Sequence, residues 1–336
     1  MASVMVALVV AYVAVLLAVP TKPAAAAFPG KNGDIAFSAE PISDGTSQIF
    51  SIQPDGTRMK ALTQVKGDGY VGVPVWSPNG KKIAYARESN DFTYDSEIYL
   101  MNARDGSSKV NLTKSPNRYE GGPSFYPSGR RIIFNASSVD DAGNYHGSAE
   151  LYSLSFDESG NATGPPKRLT NNSYPDISPT VSADGKKIAF VSARDENADL
   201  FGDREIYVMN AAPERSNNQP VQLTDNGHRA SGEPINDESP DFSPDGRRIV
   251  YHSNATGDSE IMVMSAKDGS GKKNLSNNPA RDSAPAFSPD GNMIAFASSR
   301  DGDGEIWKMR ADGTRPTHVT KNTTHYDSSP DWQPLP

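Results

Sequence analysis

The sequence repeats one short pattern along most of its length, and this repetition constrains the fold more than any other feature. A turn of the form Ser-Pro-Asp-Gly, or a close variant of it, ends at Gly80, Gly129, Gly185, Gly246 and Gly291. Successive copies of this turn lie 45 to 61 residues apart. Internal repeats of about this length are typical of solenoids, propellers and arrays, in which each repeat is one supersecondary unit.

Each repeat contains four short runs of apolar and β-branched residues. In the clearest copy, Pro285-Ala-Phe287 precedes the turn and Met293-Ile-Ala-Phe296 follows it. The third run is Glu305-Ile-Trp-Lys-Met309, and the fourth ends at Val319-Thr320. Alternating runs separated by Gly, Asp and Pro turns are typical of strands in hairpins. Four strands per repeat correspond to one blade of a β-propeller.

The two ends of the repeat region indicate how the ring closes. The third-strand pattern occurs six times, beginning with Gln48-Ile-Phe-Ser-Ile52. The repeats start in a second strand, Gly33-Asp-Ile-Ala-Phe37, and end with a first strand, Ser329-Pro-Asp-Trp-Gln-Pro334. Closing the ring would protect sheet edges that otherwise pair with other chains. We therefore predict an all-β fold, a six-bladed β-propeller with four antiparallel strands per blade, closed by the C-terminal strand and covering residues 28–336.

The repeat resembles that of a known family. Pro74-Val-Trp-Ser-Pro-Asn-Gly80 and Glu205-Ile-Tyr-Val-Met-Asn210 are similar to the WD-like repeat of TolB-type propellers. The resemblance covers about residues 28–336, and its motif residues belong to turns and to the core. Some peptidases and oligogalacturonate lyases have propellers with the same repeat. The resemblance implies a scaffold without the N-terminal α/β domain of TolB, and a shared fold does not determine function.

The N-terminal residues predict export. An apolar run from Val4 to Val19 is followed by Ala24–Ala27, which provides an Ala-x-Ala cleavage site, so we interpret residues 1–27 as a signal peptide. Lys22 follows the run and no basic residue precedes it, so an uncleaved anchor remains an alternative. The run of about 16 residues is short for a hydrocarbon core of about 30 Å, which favours cleavage without later membrane insertion.

Composition agrees with an exported bacterial protein, either periplasmic or secreted. The chain has no cysteine, so disulfides do not stabilise it. Its formal net charge of −8 argues against nucleic acid as a partner. One ring-shaped domain accounts for the remaining length, and we expect a monomer whose partner is an envelope or extracellular protein, a peptide or a glycan.

Three long loops predict a ligand-binding wall on one face of the ring. They connect the second and third strands of blades 2, 3 and 4, and all three combine acidic and aromatic residues. Loops of this kind on a rigid scaffold often carry binding residues. The predicted ligand-binding residues are Phe92, Tyr94, Tyr145, His146 and Phe201.

A ring of carboxylates is predicted on the same face. The position three residues before each inner-strand proline is acidic in five repeats and is Val71 in the remaining one. Such acids could bind a cation, for which calcium is the natural choice, or a basic ligand. Alternatively, each acid only caps the backbone of its own turn. The candidate metal ligands are Glu120, Asp176, Asp237, Asp282 and Asp327.

Three classes of function are compatible with these features. The first is an exported, non-catalytic propeller that binds a protein, peptide or glycan at the loop face of the central channel. The second is a carbohydrate-active enzyme, a lyase or glycosidase with carboxylates or a metal in the funnel. The third is a purely structural envelope module. We favour the first class and predict no catalytic residues, because the chain has no Gly-x-Ser-x-Gly elbow and no phosphate-binding loop.

Overall fold

The protein is described by a computed structural model. The structure describes residues 28–41, 47–65, 70–88, 95–115, 117–139, 145–194, 203–212, 219–228, 231–321 and 324–336. The predicted signal peptide, residues 1–27, lies outside this part of the chain. No helix that could span a membrane occurs among the described residues.

The described chain consists of β-strands joined by turns and loops. The strands of the first half are β1 (Lys31–Pro41), β2 (Gln48–Ile52), β3 (Lys60–Ala61), β4 (Val71–Trp76), β5 (Lys82–Glu88), β6 (Ser96–Asn102), β7 (Val110–Asn111), β8 (Arg118–Phe125), β9 (Arg131–Val139), β10 (Tyr145–Ser155) and β11 (Lys167–Arg168). The strands of the second half are β12 (Asp176–Val181), β13 (Lys187–Ser192), β14 (Glu205–Asn210), β15 (Val221–Gln222), β16 (Asp237–Phe242), β17 (Arg248–Ser253), β18 (Glu260–Ser265), β19 (Lys273–Asn274), β20 (Asp282–Phe287), β21 (Met293–Ser298), β22 (Glu305–Arg310), β23 (Thr317–His318) and β24 (His325–Leu335).

The strands form five hydrogen-bonded sheets. Four of them have four strands each, in the orders β24-β1-β2-β3, β12-β13-β14-β15, β16-β17-β18-β19 and β20-β21-β22-β23. The fifth has eight strands, made of the antiparallel meanders β4–β7 and β8–β11. A single parallel pair, Ser96 with Tyr119, joins these two meanders. The sequence predicted separate four-stranded sheets throughout, and this hydrogen-bonded junction is where the structure differs.

The sheets are arranged around a central axis as an all-β propeller. The inner strands contact one another in the cyclic order β4, β8, β12, β16, β20, β24 and back to β4. The C-terminal strand β24 pairs antiparallel with β1, with Trp332 opposite Ile35, as the sequence predicted. The last strand therefore completes the sheet that the first strand begins.

The hydrophobic core lies in the spaces between neighbouring sheets. Ile35 and Phe37 of β1, for example, pack with Ala295 of β21, Ile306 of β22 and Trp332 of β24. Successive side chains of a strand point to opposite faces of its sheet. Because neighbouring sheets cover both faces, the apolar side chains of each strand are buried between sheets. Each sheet is therefore stabilised mainly by the next sheet in the ring.

Every inner strand carries a bulge at its proline. The residue before the proline has a left-handed backbone, with φ between 48° and 55° in all six strands. A register shift accompanies each of these residues. For a β-branched residue such as Val73 this conformation is unusual. The sequence analysis did not predict these bulges, which are at Val73, Gly122, Ser178, Ser239, Ala284 and Ser329.

Removing β24 should destabilise the whole ring. A variant that ends at residue 324 loses the partner of β1 and the side chain of Trp332, which is 4% exposed. We expect a loss of at least 3–5 kcal/mol in the free energy of unfolding, the usual cost of deleting a buried Trp side chain alone. Urea and thermal unfolding measure it, with Leu335→Ala as a control at an exposed position of the same strand. A variant that melts within about two degrees of the full chain would contradict ring closure by β24.

Candidate functional site

The structure describes only part of the predicted ligand-binding wall. Phe92, Tyr94 and Phe201 lie outside the described residues. Tyr145 and His146 begin β10, where they pair with Val139 and Ser138 of β9. The contribution of these five residues to a binding wall stays a prediction.

The five predicted metal-ligand acids are all buried at the beginning of inner strands. Their side chains have at most 1% of their surface exposed. Among the residues that the structure describes, no three His, Asp or Glu side chains come close enough together to hold a metal ion. Calcium binding by Glu120, Asp176, Asp237, Asp282 and Asp327 stays a prediction. The contacts of these acids indicate a role other than metal binding.

Asp176 shows how such an acid is accommodated between two sheets. Its carboxylate accepts a hydrogen bond from the Ser192 hydroxyl at 2.6 Å and two from the Arg194 guanidinium, also at 2.6 Å. The Asn172 side-chain amide donates a further bond at 2.8 Å. Asp176 is thus a neutralised, structural carboxylate, because a buried charge is tolerated only when it is paired and hydrogen-bonded.

The same asparagine connects Asp176 to the preceding sheet. The backbone N–H of Asn172 donates to the Glu150 carboxylate at 2.6 Å, and Thr170 donates its hydroxyl proton to the same carboxylate at 2.5 Å. The Leu151 backbone N–H in turn donates to the Thr170 oxygen at 2.9 Å. Asn172 therefore links the acid that opens one inner strand to the glutamate that opens the previous third strand. We name this repeated arrangement of two acids, a hydroxyl and an amide the seam network.

Two other seam networks contain most of the same donors. The Arg300 guanidinium donates a hydrogen bond to Asp282 at 2.7 Å. Burial raises the pKa of Asp282, and the Ser298 hydroxyl opposes this rise. The Asn226 side-chain amide donates a hydrogen bond to Asp237 at 2.7 Å. Ala255 stands 18 residues after Asp237, the position of the arginine in the networks of Asp176 and Asp282. Burial raises the pKa of Asp237 as well. These arginines were not predicted from the sequence, although Arg194 and Arg300 both follow their acid by 18 residues.

Glu120 differs from the other acids because neither of its carboxylate oxygens has a hydrogen-bond partner among the described residues. The pKa of Glu120 is raised to about 7, mainly by burial, and the negative charge of Glu97 contributes to this rise. The neighbouring hydroxyls of Thr113 and Ser115 and the positive charge of Arg118 oppose this rise. Strongly perturbed acids beside a cleft are candidates for functional groups.

Glu120 borders an open groove at the loop face of the ring. The groove has a volume of about 1000 Å³ and extends from β5 and β8 to the loop before β12. Its walls include Tyr70, Tyr119, Asn135 and Ile177, so aromatic and apolar surface lies beside amide groups. The groove lies on the sheets whose long loops were predicted to form a binding wall. Concave, largely apolar sites with a few polar groups are typical of ligand binding.

The groove continues into a central cavity of about 180 Å³, with Val73, Gly122 and Ser178 lining both. Two carboxyl groups that the sequence analysis did not single out, Asp241 and Asp331, line this cavity. The residue after the inner-strand proline is acidic at only these two positions and is Val, Ser, Thr or Ala in the other strands. That contrast between repeats is a signal from which both residues could have been found.

Each of these two acids connects neighbouring inner strands. Asp241 accepts a hydrogen bond from the Phe287 backbone N–H at 2.9 Å, and Asp331 accepts one from the Trp76 backbone N–H at 2.6 Å. Burial raises the pKa of Asp241 to about 7. Burial, together with the charge of Asp241, raises the pKa of Asp331 to about 7 as well. We interpret both as structural links within the ring.

The raised pKa of Glu120 predicts a pH-dependent effect on stability. Its folded-state pKa of about 7 lies above the ordinary value of 4.5, so ionisation of Glu120 destabilises the fold progressively as the pH rises from about 4.5 to about 7. Relative to the wild type, Glu120→Gln should therefore gain about 1–3 kcal/mol in unfolding free energy between pH 4 and pH 8. Urea unfolding across this range measures the gain, and Glu158→Gln, at an 80% exposed side chain, is the control. A pH-independent difference between Glu120→Gln and the wild type would contradict the prediction.

Comparison with known proteins gives matches to TolB propellers. Residues 223–335 match the family described as the TolB beta propeller domain. An uncharacterized protein of Agrobacterium fabrum is 27% identical over 223 residues, which cover 66% of each chain. A protein TolB homolog of Chlorobium chlorochromatii is 30% identical over 150 residues, which cover 45% of this chain and 29% of the homolog. The matched regions thus span about two thirds of one relative and less than a third of the other.

Solved structures extend the similarity to most of the chain. The crystal structure of TolB from Acinetobacter baumannii superposes with a TM-score of 0.68 and 23% sequence identity, covering 90% of this chain and 67% of that one. At this level of identity the likeness concerns the fold. The chain therefore has the fold of a TolB-like β-propeller.

Proposed function

We propose that this protein is an exported, non-catalytic β-propeller that binds a protein, peptide or glycan at the loop face of its channel. In this proposal the two meanders of the eight-stranded sheet act as separate blades, which gives a six-bladed ring. A single parallel residue pair joins them, whereas four or more residue pairs join the long neighbouring strands within each meander. The proposal applies to residues 28–336.

The groove beside Glu120 is the observation that carries this proposal. It is about 1000 Å³ in volume and combines the rings of Tyr70 and Tyr119 with the side chains of Asn135 and Ile177. Tyrosine supplies a large contact area together with a polar hydroxyl, which is why it is enriched at binding surfaces. The similarity to TolB propellers supports a scaffold over an enzyme.

Binding at the groove is tested with the full chain produced in a secreting host. A random peptide library and a glycan array supply candidate ligands, and the affinity of each is then measured for variants. Tyr119→Ala and Ile177→Ala should weaken binding by at least ten-fold, because truncating a central contact often costs more than about 1.4 kcal/mol. Tyr326→Ala is the matched control, since Tyr326 is 43% exposed and does not line the groove. Ligands whose affinities do not change in the two groove variants would overturn the proposed site.

Export is a separate part of the proposal and has its own test. The apolar run Val4–Val19 and the alanines before Phe28 support cleavage after Ala27. N-terminal sequencing of the protein from a secreting bacterial host should give a chain that begins at or near Phe28. Recovery of the intact N-terminus in the membrane fraction would instead support an uncleaved anchor.

A further inference from the structure

The seam network around Glu120 lacks the donors that neutralise the corresponding acids. Asp176 is bound by a serine of the paired strand, by an arginine 18 residues later and by an asparagine of the preceding loop. Asp282 is bound by an arginine at the same spacing, and Asp237 by an asparagine. These bonds allow a carboxylate to remain buried.

The three equivalent positions around Glu120 carry other residues. Ala136 pairs with Glu120 where Ser192 pairs with Asp176. Ser138 stands 18 residues after Glu120, where the networks of Asp176 and Asp282 have an arginine. Ser115 follows Thr113 by two residues, as Asn172 follows Thr170, and its hydroxyl donates to the Thr113 carbonyl at 3.3 Å. Each donor is thus absent from its place in this seam network, while the acid itself is present.

Arg118, two residues before Glu120, does not replace these donors. The Arg118 guanidinium lies over the ring of Tyr152, 5.0 Å from its centroid. By contrast, Arg194 both lies over the rings of Phe190 and Tyr207 and binds Asp176 through two hydrogen bonds. Glu120 is therefore a fully buried carboxyl group, and the structure shows no cation bound to it among the described residues.

The position of Glu120 explains how a cation could reach it. Glu120 is among the residues that line the groove, and so is Glu88, whose carboxylate accepts a hydrogen bond from the Tyr119 hydroxyl at 3.1 Å. No Lys, Arg or His is among the described residues that line the groove. The groove therefore has two acidic groups and aromatic walls, a combination that suits a guanidinium group.

We propose that the partner bound in this groove contributes an arginine side chain, and that Glu120 is its counter-ion. This inference rests on the proposed function and specifies the chemistry of the partner, an extended peptide segment that carries an arginine. The guanidinium takes the role that Arg194 and Arg300 have in their own seam networks, but it comes from another chain. Binding requires the groove floor to move, because the Glu120 carboxylate is covered in the free protein.

A basic peptide fits this site better than a neutral glycan does. Sugar hydroxyls can donate hydrogen bonds to a carboxylate, but they leave its negative charge buried without compensation. A guanidinium supplies both the positive charge and two parallel donors. The same comparison predicts that binding becomes tighter as the pH rises through about 7, where Glu120 loses its proton.

The test uses two peptides of nearly equal shape and the full chain. The probes are acetyl-Gly-Arg-Gly-amide and its citrulline analogue, which keeps the shape of arginine and removes the charge. NMR titration or calorimetry at pH 8 should show at least ten-fold tighter binding of the arginine peptide. Glu120→Gln should abolish this preference, and Glu158→Gln, which removes an exposed negative charge, should retain it.

A second variant restores the missing donors within the chain. Ala136→Ser combined with Ser138→Arg rebuilds the environment of Asp176 around Glu120, and Ser138 is exposed, so the new side chain has room. We expect this double variant to lose binding of the arginine peptide. Its melting temperature should also depend less on pH than that of the wild type between pH 5 and pH 8. Both results follow if the new arginine occupies the place of the partner's guanidinium.

The outcomes separate this inference from the proposed function. Equal affinity of the two peptides for the wild type, or a preference that survives Glu120→Gln, would overturn the arginine inference. Library ligands that depend on Tyr119 but contain no basic residue would also overturn it, while the groove would remain a binding site. Ligands that are unaffected by Tyr119→Ala would overturn the proposed function itself.

Discussion

The pairing of β24 with β1 is the interaction on which the rest of the structure depends. It joins residues about three hundred positions apart and places Trp332 opposite Ile35 in an antiparallel ladder that is interrupted by two register shifts. Because the core lies between sheets, each sheet needs a neighbour on both sides to cover its apolar surface. An open ring would leave two sheet faces without a neighbour. The hydrogen bonds between β24 and β1 close the ring where no chain connection joins the neighbouring sheets.

The seam networks add polar specificity to these apolar interfaces. In the best-formed network, two carboxylates from adjacent sheets share one asparagine, with a threonine hydroxyl beside them. Such groups are costly to bury, and in this network they are tolerated because both carboxylates accept several hydrogen bonds. Hydrogen bonds have directional requirements that apolar contacts lack, so these networks fix the register of one sheet against the next. A repeat protein with many similar interfaces needs such features to pack in only one way.

The repeat pattern was sufficient to predict the propeller fold, the positions of the strands and closure by the C-terminal strand. These properties follow from local turn chemistry and from alternation, both of which can be read in a single copy of the repeat. The hydrogen-bonded junction at Ser96 and Tyr119 and the left-handed bulges before the prolines were not predicted. They depend on how neighbouring strands meet, although proline inside a strand pattern is a known indicator of a bulge.

The candidate site was predicted in part, for a related reason. The spacing from the proline located all five acids, but it could not show that they are buried at seams, because burial depends on the adjacent sheet. The differences between the repeats provide further information. Asp176 and Asp282 are each followed 18 residues later by an arginine, whereas Glu120 is followed by Ser138. Departures from the shared pattern, such as Ser138 and Ala255 in place of the arginine, can therefore be found by comparing the repeats in the sequence.

Glu120 shows a balance between stability and binding. An ionised carboxylate without donors destabilises the free protein at neutral pH, and the same group gains a partner only when a cation arrives. If the donors were present in the chain, as they are around Asp176, the fold would be more stable and the site would already be filled. The absence of these donors within the chain thus leaves Glu120 available to a charged side chain of a partner. The networks of Asp176, Asp237 and Asp282, in which each acid retains at least one of these donors, can hold the ring together while the network of Glu120 remains available for a partner.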